Sequence, residues 1–184
     1  MLKTSPLLLT LLAAFGLNTA QAAAKAPAFT QPAAIKVKII GFNDYHGTLE
    51  SPGTFGKNST VPANLRPAVG GAEYLSAYVA QMKAANPNTV VVGAGDFIGA
   101  SPLISALFFD EPAVETLNKI GVDFSAVGNH EFDKGKDELR RLQNGGCKLG
   151  AGGIQEANSC KGFGSSAQGT FDGAKFKWLS ANVT

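Results

Sequence analysis

The sequence has 184 residues, 45% of them hydrophobic, with 16 basic and 14 acidic side chains and a net charge of +2. That near balance leaves no electrostatic footprint for nucleic acid and no basic run for an anionic membrane surface. The length suits about one domain, enough to bury a real core.

Residues 1–22 read as a secretory signal peptide. Lys3 gives the positive start, an apolar core is densest over residues 7–12, and Ala20-Gln21-Ala22 supplies the small-x-small pattern before cleavage. Thr10, Gly16 and Asn18 interrupt that core, so it falls short of the roughly 18 unbroken apolar residues of a membrane anchor. Nothing after residue 30 has a spanning pattern either. The expected mature chain starts at Ala23, has no membrane span and is periplasmic or secreted. Residues 23–34 form an Ala- and Pro-rich leader, and residues 35–184 carry the domain.

Within that domain, residues 35–42 are apolar and β-branched, the pattern of a buried strand. Residues 70–86 have helical spacing, with Leu75, Tyr78, Val79 and Met82 on one face, and Pro87 and Asn88 close the helix. Residues 89–93 make a second strand built on three valines. Asp110 is placed to cap a helix with Pro112 in its first turn and its end near Gly121. Residues 124–127 read as a short third strand, 133–144 as a helix stopped by Gly145-Gly146, and 176–182 as a last strand. Strands alternating with helices predict an α/β fold: a parallel-rich sheet with flanking helices.

Cys147 and Cys160 lie in a Gly-, Ser- and Asn-rich stretch, without CxxC spacing and without a histidine within 15 residues of either. In an exported chain such a pair is expected to form a disulfide stapling a surface loop. Asn58-Ser59-Thr60 and Asn182-Val183-Thr184 match the glycosylation sequon, which matters only in a eukaryotic host.

The chemistry-bearing residues sit at the ends of the first three strands. Strand one runs into Asn43-Asp44-Tyr45-His46-Gly47, strand two into Gly95-Asp96, and strand three into Gly128-Asn129-His130-Glu131-Phe132-Asp133. Ligands of parallel α/β sheets bind beyond the carboxyl ends of the strands, and both histidines of the chain are in this set. Asp44 and His46, two apart on an extended segment, can grip one cation. Asp96 can bridge two cations through its two oxygens, and Asn129 can bring a neutral oxygen to the second. His130 is then free to face a substrate, with Asp133 close enough to orient its ring. Carboxylate, imidazole and amide donors without thiolate suit two divalent ions of the Zn, Mn, Co or Fe kind. Such a pair clamps the oxygens of a phosphoryl group and activates a water.

Simpler readings exist for each residue: Asp-x-His as turn chemistry, Asn129 or Asp133 as a helix cap. Their joint occurrence at three strand ends favours the metal site. Gly93-Ala94-Gly95-Asp96-Phe97-Ile98-Gly99 imitates a dinucleotide fingerprint, but its third glycine is one residue late and Asp96 would face a pyrophosphate with a bare carboxylate.

The strings FNDYHGTLE, GGAEYLSAYV, VVVGAGDFIGASPL and AVGNHEFDKG resemble the calcineurin-like metallophosphoesterases. They are most similar to the secreted 5'-nucleotidase and 2',3'-cyclic phosphodiesterase branch, over residues 35–184. The resemblance implies the sandwich of that superfamily, here incomplete. It implies Asp44, His46, Asp96 and Asn129 as ligands of two divalent metals, and His130 with Asp133 as a catalytic dyad. It also implies a nucleotide or another small phosphoester as substrate, with no nucleic acid partner. The family's downstream histidine ligands and carboxy-terminal nucleotide-binding domain have no counterpart here. Two classes therefore stand: part of a nucleotide-hydrolysing phosphoesterase, or an inactive exported remnant that binds metal or phosphate weakly.

Overall fold

Four short strands form one parallel sheet, and the side chains on one of its faces feed the core. The computed structural model describes residues 33–56, 60–164 and 166–183. The signal peptide, most of the leader, the Asn58 and Ser59 positions of the first sequon and Thr184 of the second lie outside them.

In chain order the elements are β1 (Lys38–Phe42), β2 (Gly53–Thr54), β3 (Ala68–Val69), α1 (Gly71–Ala85), β4 (Thr89–Gly93), α2 (Leu103–Ala106), α3 (Glu111–Ile120), β5 (Phe124–Ala126), α4 (Lys136–Asn144) and β6 (Lys177–Leu179). Short 3-10 turns cover Ala63–Leu65, His130–Phe132 and Ala151–Gly153. The main sheet has the order β1-β4-β5-β6, parallel throughout, and β2 pairs β3 antiparallel. Among the described residues no helix is long and apolar enough to cross a membrane.

The register places Ile40 beside Val91, Phe42 beside Gly93, Gly93 beside Ser125, and Ser125 beside Trp178. This face packs on the core with Val79 of α1, Val114 and Leu117 of α3, and Leu142 of α4, all fully buried or nearly so. Gly93 has a specific job here. A Cβ on it would lie 2.1 Å from the Phe97 ring, so only glycine lets Phe97 fold back against the strand it has just left. Phe97 then stacks on Phe42 at 5.1 Å and meets Phe176 edge-on at 6.0 Å. Those ring pairs tie the turn after β4 to the core.

The opposite face carries Ile39, Gly41, Val90, Val92, Phe124, Ala126 and Leu179. Ile39 is 71% exposed, Leu179 53% and Phe124 45%. Flanking helices therefore cover one face of the sheet.

Several expectations shift in detail. Tyr78 was expected on the buried face of α1 with Leu75, Val79 and Met82. It is 62% exposed and lines, with Tyr74, a recess of about 570 Å³ beside Asp44. Asp110 does precede α3, but with left-handed backbone (φ 61°) and no side-chain cap bond. Its buried carboxylate instead accepts from the Ser105 hydroxyl at 3.0 Å and from Lys134 Nζ at 3.3 Å. The helix expected from Asp133 starts at Lys136, because Gly135 (φ 83°) turns the chain between the 3-10 turn and α4. Cys147 and Cys160 are bonded, their Cα atoms 5.4 Å apart.

Candidate metal centre

The loops leaving β1 and β4 are stitched to each other by backbone bonds, and the loop leaving β5 joins them through the Glu131 and Asp96 carboxylates. Asp44 N–H donates to Gly95 O (3.2 Å), His46 N–H to Asp96 O (3.0 Å) and Gly47 N–H to Phe97 O (3.0 Å). The β1–β4 pairing thus continues past the strands, as irregular backbone. Asp44, His46 and Asp96 all take positive φ there, 52°, 44° and 54°. Left-handed backbone costs a non-glycine residue free energy of order 1–3 kcal/mol, and such residues concentrate at functional sites. Asp and His tolerate it better than most.

His46 Nδ1 lies 2.8 Å from the Gly99 carbonyl oxygen. A carbonyl only accepts, so Nδ1 carries a proton and Nε2 is the nitrogen left to serve as a ligand. That nitrogen faces Asp44 Oδ1 at 3.6 Å. Two donors each about 2.1 Å from one ion at a tetrahedral angle lie roughly 3.4 Å apart. Asp44 and His46 therefore fit a shared cation, and the second bond of His46 is the usual outer support of a metal-bound imidazole. Asn43 Nδ2 also donates to Asp44 Oδ2.

His46, Asp96 and His130 each present one donor atom, and the three atoms lie within 4.8 Å of one another. Both histidine rings meet edge-on, centroids 5.0 Å apart. His130 N–H donates to Asp96 Oδ1 at 3.1 Å, and His130 Nδ1 donates to Asp133 Oδ2 at 2.7 Å. The Asp133 hydrogen bond raises the His130 pKa above its ordinary value. Burial pulls it down, while the charges of Asp133, Asp96 and Glu131 push it further up. Neither cysteine competes for metal, since both are in the disulfide.

Of the six residues singled out from the sequence, five are thus linked by measured contacts. Asn129 is the sixth. It sits exposed between Gly128 and His130. Its side chain makes no capping bond to the 3-10 turn, which leaves the cap reading without support. His130 falls inside the donor group, so the geometry that suits a substrate-facing ring also suits a ligand.

Sequence reasoning passed over Glu131. It is 2% exposed, and its carboxylate accepts from the backbone N–H groups of Asp96 (2.9 Å), Phe97 (2.9 Å) and Gly128 (2.6 Å). Its neighbours in sequence are a candidate dyad residue and an aromatic, and no spacing rule marks an acid there as buried.

No family model matches the chain. An Acinetobacter calcoaceticus sequence described as an uncharacterized protein in the pqq-V 5' region is 47% identical over 150 residues, 80% of this chain and 69% of that one. Endonuclease YhcR of Bacillus subtilis is 41% identical over 61% of this chain and 9% of its own length. A probable 5'-nucleotidase of Treponema pallidum is 34% identical over 58% of this chain and 18% of its own. The chain thus spans most of the first relative and less than a fifth of the other two. With the motifs converging at the carboxyl edge of a parallel sheet, these likenesses show that the chain belongs to the 5'-nucleotidase family.

Proposed function

We propose that this chain forms the metal-binding edge of an exported, metal-dependent phosphoester hydrolase acting on nucleotides. Nucleoside 5'-monophosphates are the first candidates, with nucleotide sugars and 2',3'-cyclic nucleotides as related ones. The observation that carries the proposal is the convergence of His46, Asp96 and His130 donors within 4.8 Å at the carboxyl ends of parallel strands. In this reading Asp44, His46, Asp96 and Asn129 would together hold two divalent cations, Asp44 and His46 serving one, Asn129 the other and Asp96 both. The cations supply positive charge for the phosphoryl oxygens and lower the pKa of water. His130, its Nδ1–H taken by Asp133, presents Nε2 to the substrate. Water adds to phosphorus and releases a proton to solvent as the ester P–O bond breaks, the leaving alcohol takes the proton held at Nε2, and solvent returns a proton to that nitrogen.

The name of the Treponema relative supports a nucleotide substrate, and that of the Bacillus relative supports a phosphodiester. The near-neutral charge of the chain favours small substrates over a polyanionic strand. A second reading, a module that holds cations without turnover, is favoured by the donor count. Two such ions need about eight donor positions, waters included, and the edge offers Asp44, His46, Asp96 and Asn129. Cations are then held loosely.

The test is metal content beside hydrolysis of AMP and p-nitrophenyl phosphate in Mn2+ or Zn2+. The expected result is weak cation retention and slow turnover, both abolished by Asp96→Ala. His130→Ala is expected to keep the cation and lower kcat by roughly 10²-fold or more. Loss of cation in His130→Ala would move that ring into the coordination shell. Bound cation without turnover selects the second reading, and absence of both sinks the two together.

A further inference from the structure

Glu131 is the most completely bonded carboxylate near the candidate centre, and its three hydrogen bonds all run to backbone N–H groups and none to a histidine ring. One of its oxygens, Oε2, takes N–H bonds from Asp96 and from Gly128, and Oε1 takes one from Phe97. Asp96 and Phe97 belong to the loop after β4, Gly128 to the loop after β5. A single buried carboxylate thus closes the gap between two of the three ligand-bearing loops. The approach is tight: a Cβ on Gly128 would lie 2.1 Å from Asp96 Oδ1, and one on Gly95 would lie 2.5 Å from Gly128 N. Three convergent N–H groups repel one another, and a buried anion between them pairs all three and offsets that repulsion.

We propose that Glu131 is a positioning residue whose negative charge holds the β4 and β5 loops at the separation that lets Asp96 and its neighbours ligate a divalent cation. The proposal rests on the reading of this edge as a cation site. It makes Asp96's left-handed bend a consequence of Glu131: the acid fixes the Asp96 and Phe97 amides, and the Asp96 carboxylate can then accept from His130 N–H. Charge matters more than shape. A glutamine of the same outline has one acceptor oxygen, so its NH2 group must face either the Phe97 amide or the Asp96 and Gly128 pair.

The experiment compares Mn2+ affinity of the wild-type whole chain with that of Glu131→Gln and of Leu117→Ala, a fully buried α3 position that takes no part in the Glu131 hydrogen bonds, all verified as folded by circular dichroism. Outer supports of metal ligands usually contribute about 10- to 100-fold in affinity. Glu131→Gln is expected to raise the Kd by that factor, and Leu117→Ala to leave it unchanged. Equal Kd values for wild type and Glu131→Gln overturn the proposal, as does an equal loss in Leu117→Ala. Amide hydrogen exchange of the metal-free wild type gives a second decision that stands even where Glu131→Gln fails to fold. The Asp96, Phe97 and Gly128 amides are expected to be protected, and exchange at the rate of open chain overturns the bridge. A Kd shift in a protein that does not hydrolyse phosphoesters supports Glu131's role and sinks only the hydrolase reading. A wild type with no Mn2+ affinity overturns both.

Discussion

Glu138 of α4 is buried, 5% exposed, and surrounded by cations: Arg141 Nε and Nη2 at 2.9–3.2 Å and Lys148 Nζ at 2.7 Å. Burial alone raises its pKa, but the bonds to Arg141 and Lys148 outweigh that and hold it below the ordinary carboxylate value. A depressed folded pKa means that Glu138 stabilises the fold above its unfolded pKa, and that this contribution is lost as the pH falls through the folded value. Glu138→Gln is therefore expected to lower stability near neutral pH and to flatten the acid limb of the stability profile below about pH 4.5. Removing one partner of a buried pair costs about 3–5 kcal/mol. Because Arg141 keeps Glu111 at 2.8 Å, the low end applies. Urea titrations at pH 7 and pH 4 check both parts, and an acid limb as steep as that of the wild type would refute the assignment. At this scale the sequence was informative about residue type and silent about bonding. Asp44, His46, Asp96, His130 and Asp133 were readable from their place after strands. The burial of Glu131 and Glu138 was not, because an acid goes inside only where distant N–H groups or cations converge.

The elements tell a similar story with a different limit. β4, with three valines between Asn88 and Gly95, was legible to the residue, since no other structure suits so short a β-branched run. Helix α1 was legible in extent but not in facing, because the tyrosine at position 78 is apolar in pattern yet has no layer to pack under. β2 and β3, two residues each, and α2, four residues, are too short to show any period. The loop between α4 and β6 has no period either, and two of the devices that hold it meet at Cys160. One is the Cys147–Cys160 bond. The other is Glu111, 1% exposed, which accepts from Ser159 Oγ at 2.5 Å and Cys160 N–H at 2.7 Å while pairing Arg141. Closing a loop with a 13-residue separation stabilises by about 3 kcal/mol on the chain-entropy estimate. Cys147→Ser/Cys160→Ser is expected to lower the urea midpoint accordingly, with cation affinity unchanged because the loop's bonds run to α3 and α4 and not to the strand-end residues. Unaltered stability, or two free thiols in protein recovered from an oxidising compartment, would refute the staple.

At the scale of the molecule, the consequence lies on the sheet. Parallel sheets are ordinarily covered on both faces, and the flanking helices here cover one. Ile39, Phe124 and Leu179 stand out from the other, with Ile35 (77% exposed) and Val37 (60%) extending the row ahead of β1. At roughly 25 cal/mol per Å² of apolar surface left in water, such a face weighs against folding and favours association. β1 is moreover an edge strand whose outer N–H and C=O groups are open to pairing. The chain spans 9% and 18% of the Bacillus and Treponema relatives, so those two proteins carry far more polypeptide than this sheet. The expected behaviour of this chain by itself is strong enhancement of the fluorescence of 8-anilinonaphthalene-1-sulfonate, together with concentration-dependent association in sedimentation velocity. Ile39→Lys and Phe124→Lys, both on the open face and remote from the strand-end donors, are expected to reduce dye binding and association while leaving Mn2+ affinity within about twofold. Their side chains already face water, so the cost in stability should stay near the ±0.5 kcal/mol typical of surface positions. A chain that binds no dye and stays monomeric at high concentration would mean that something among its own residues covers the face. A large stability loss in the lysine variants would locate that cover against Ile39 and Phe124.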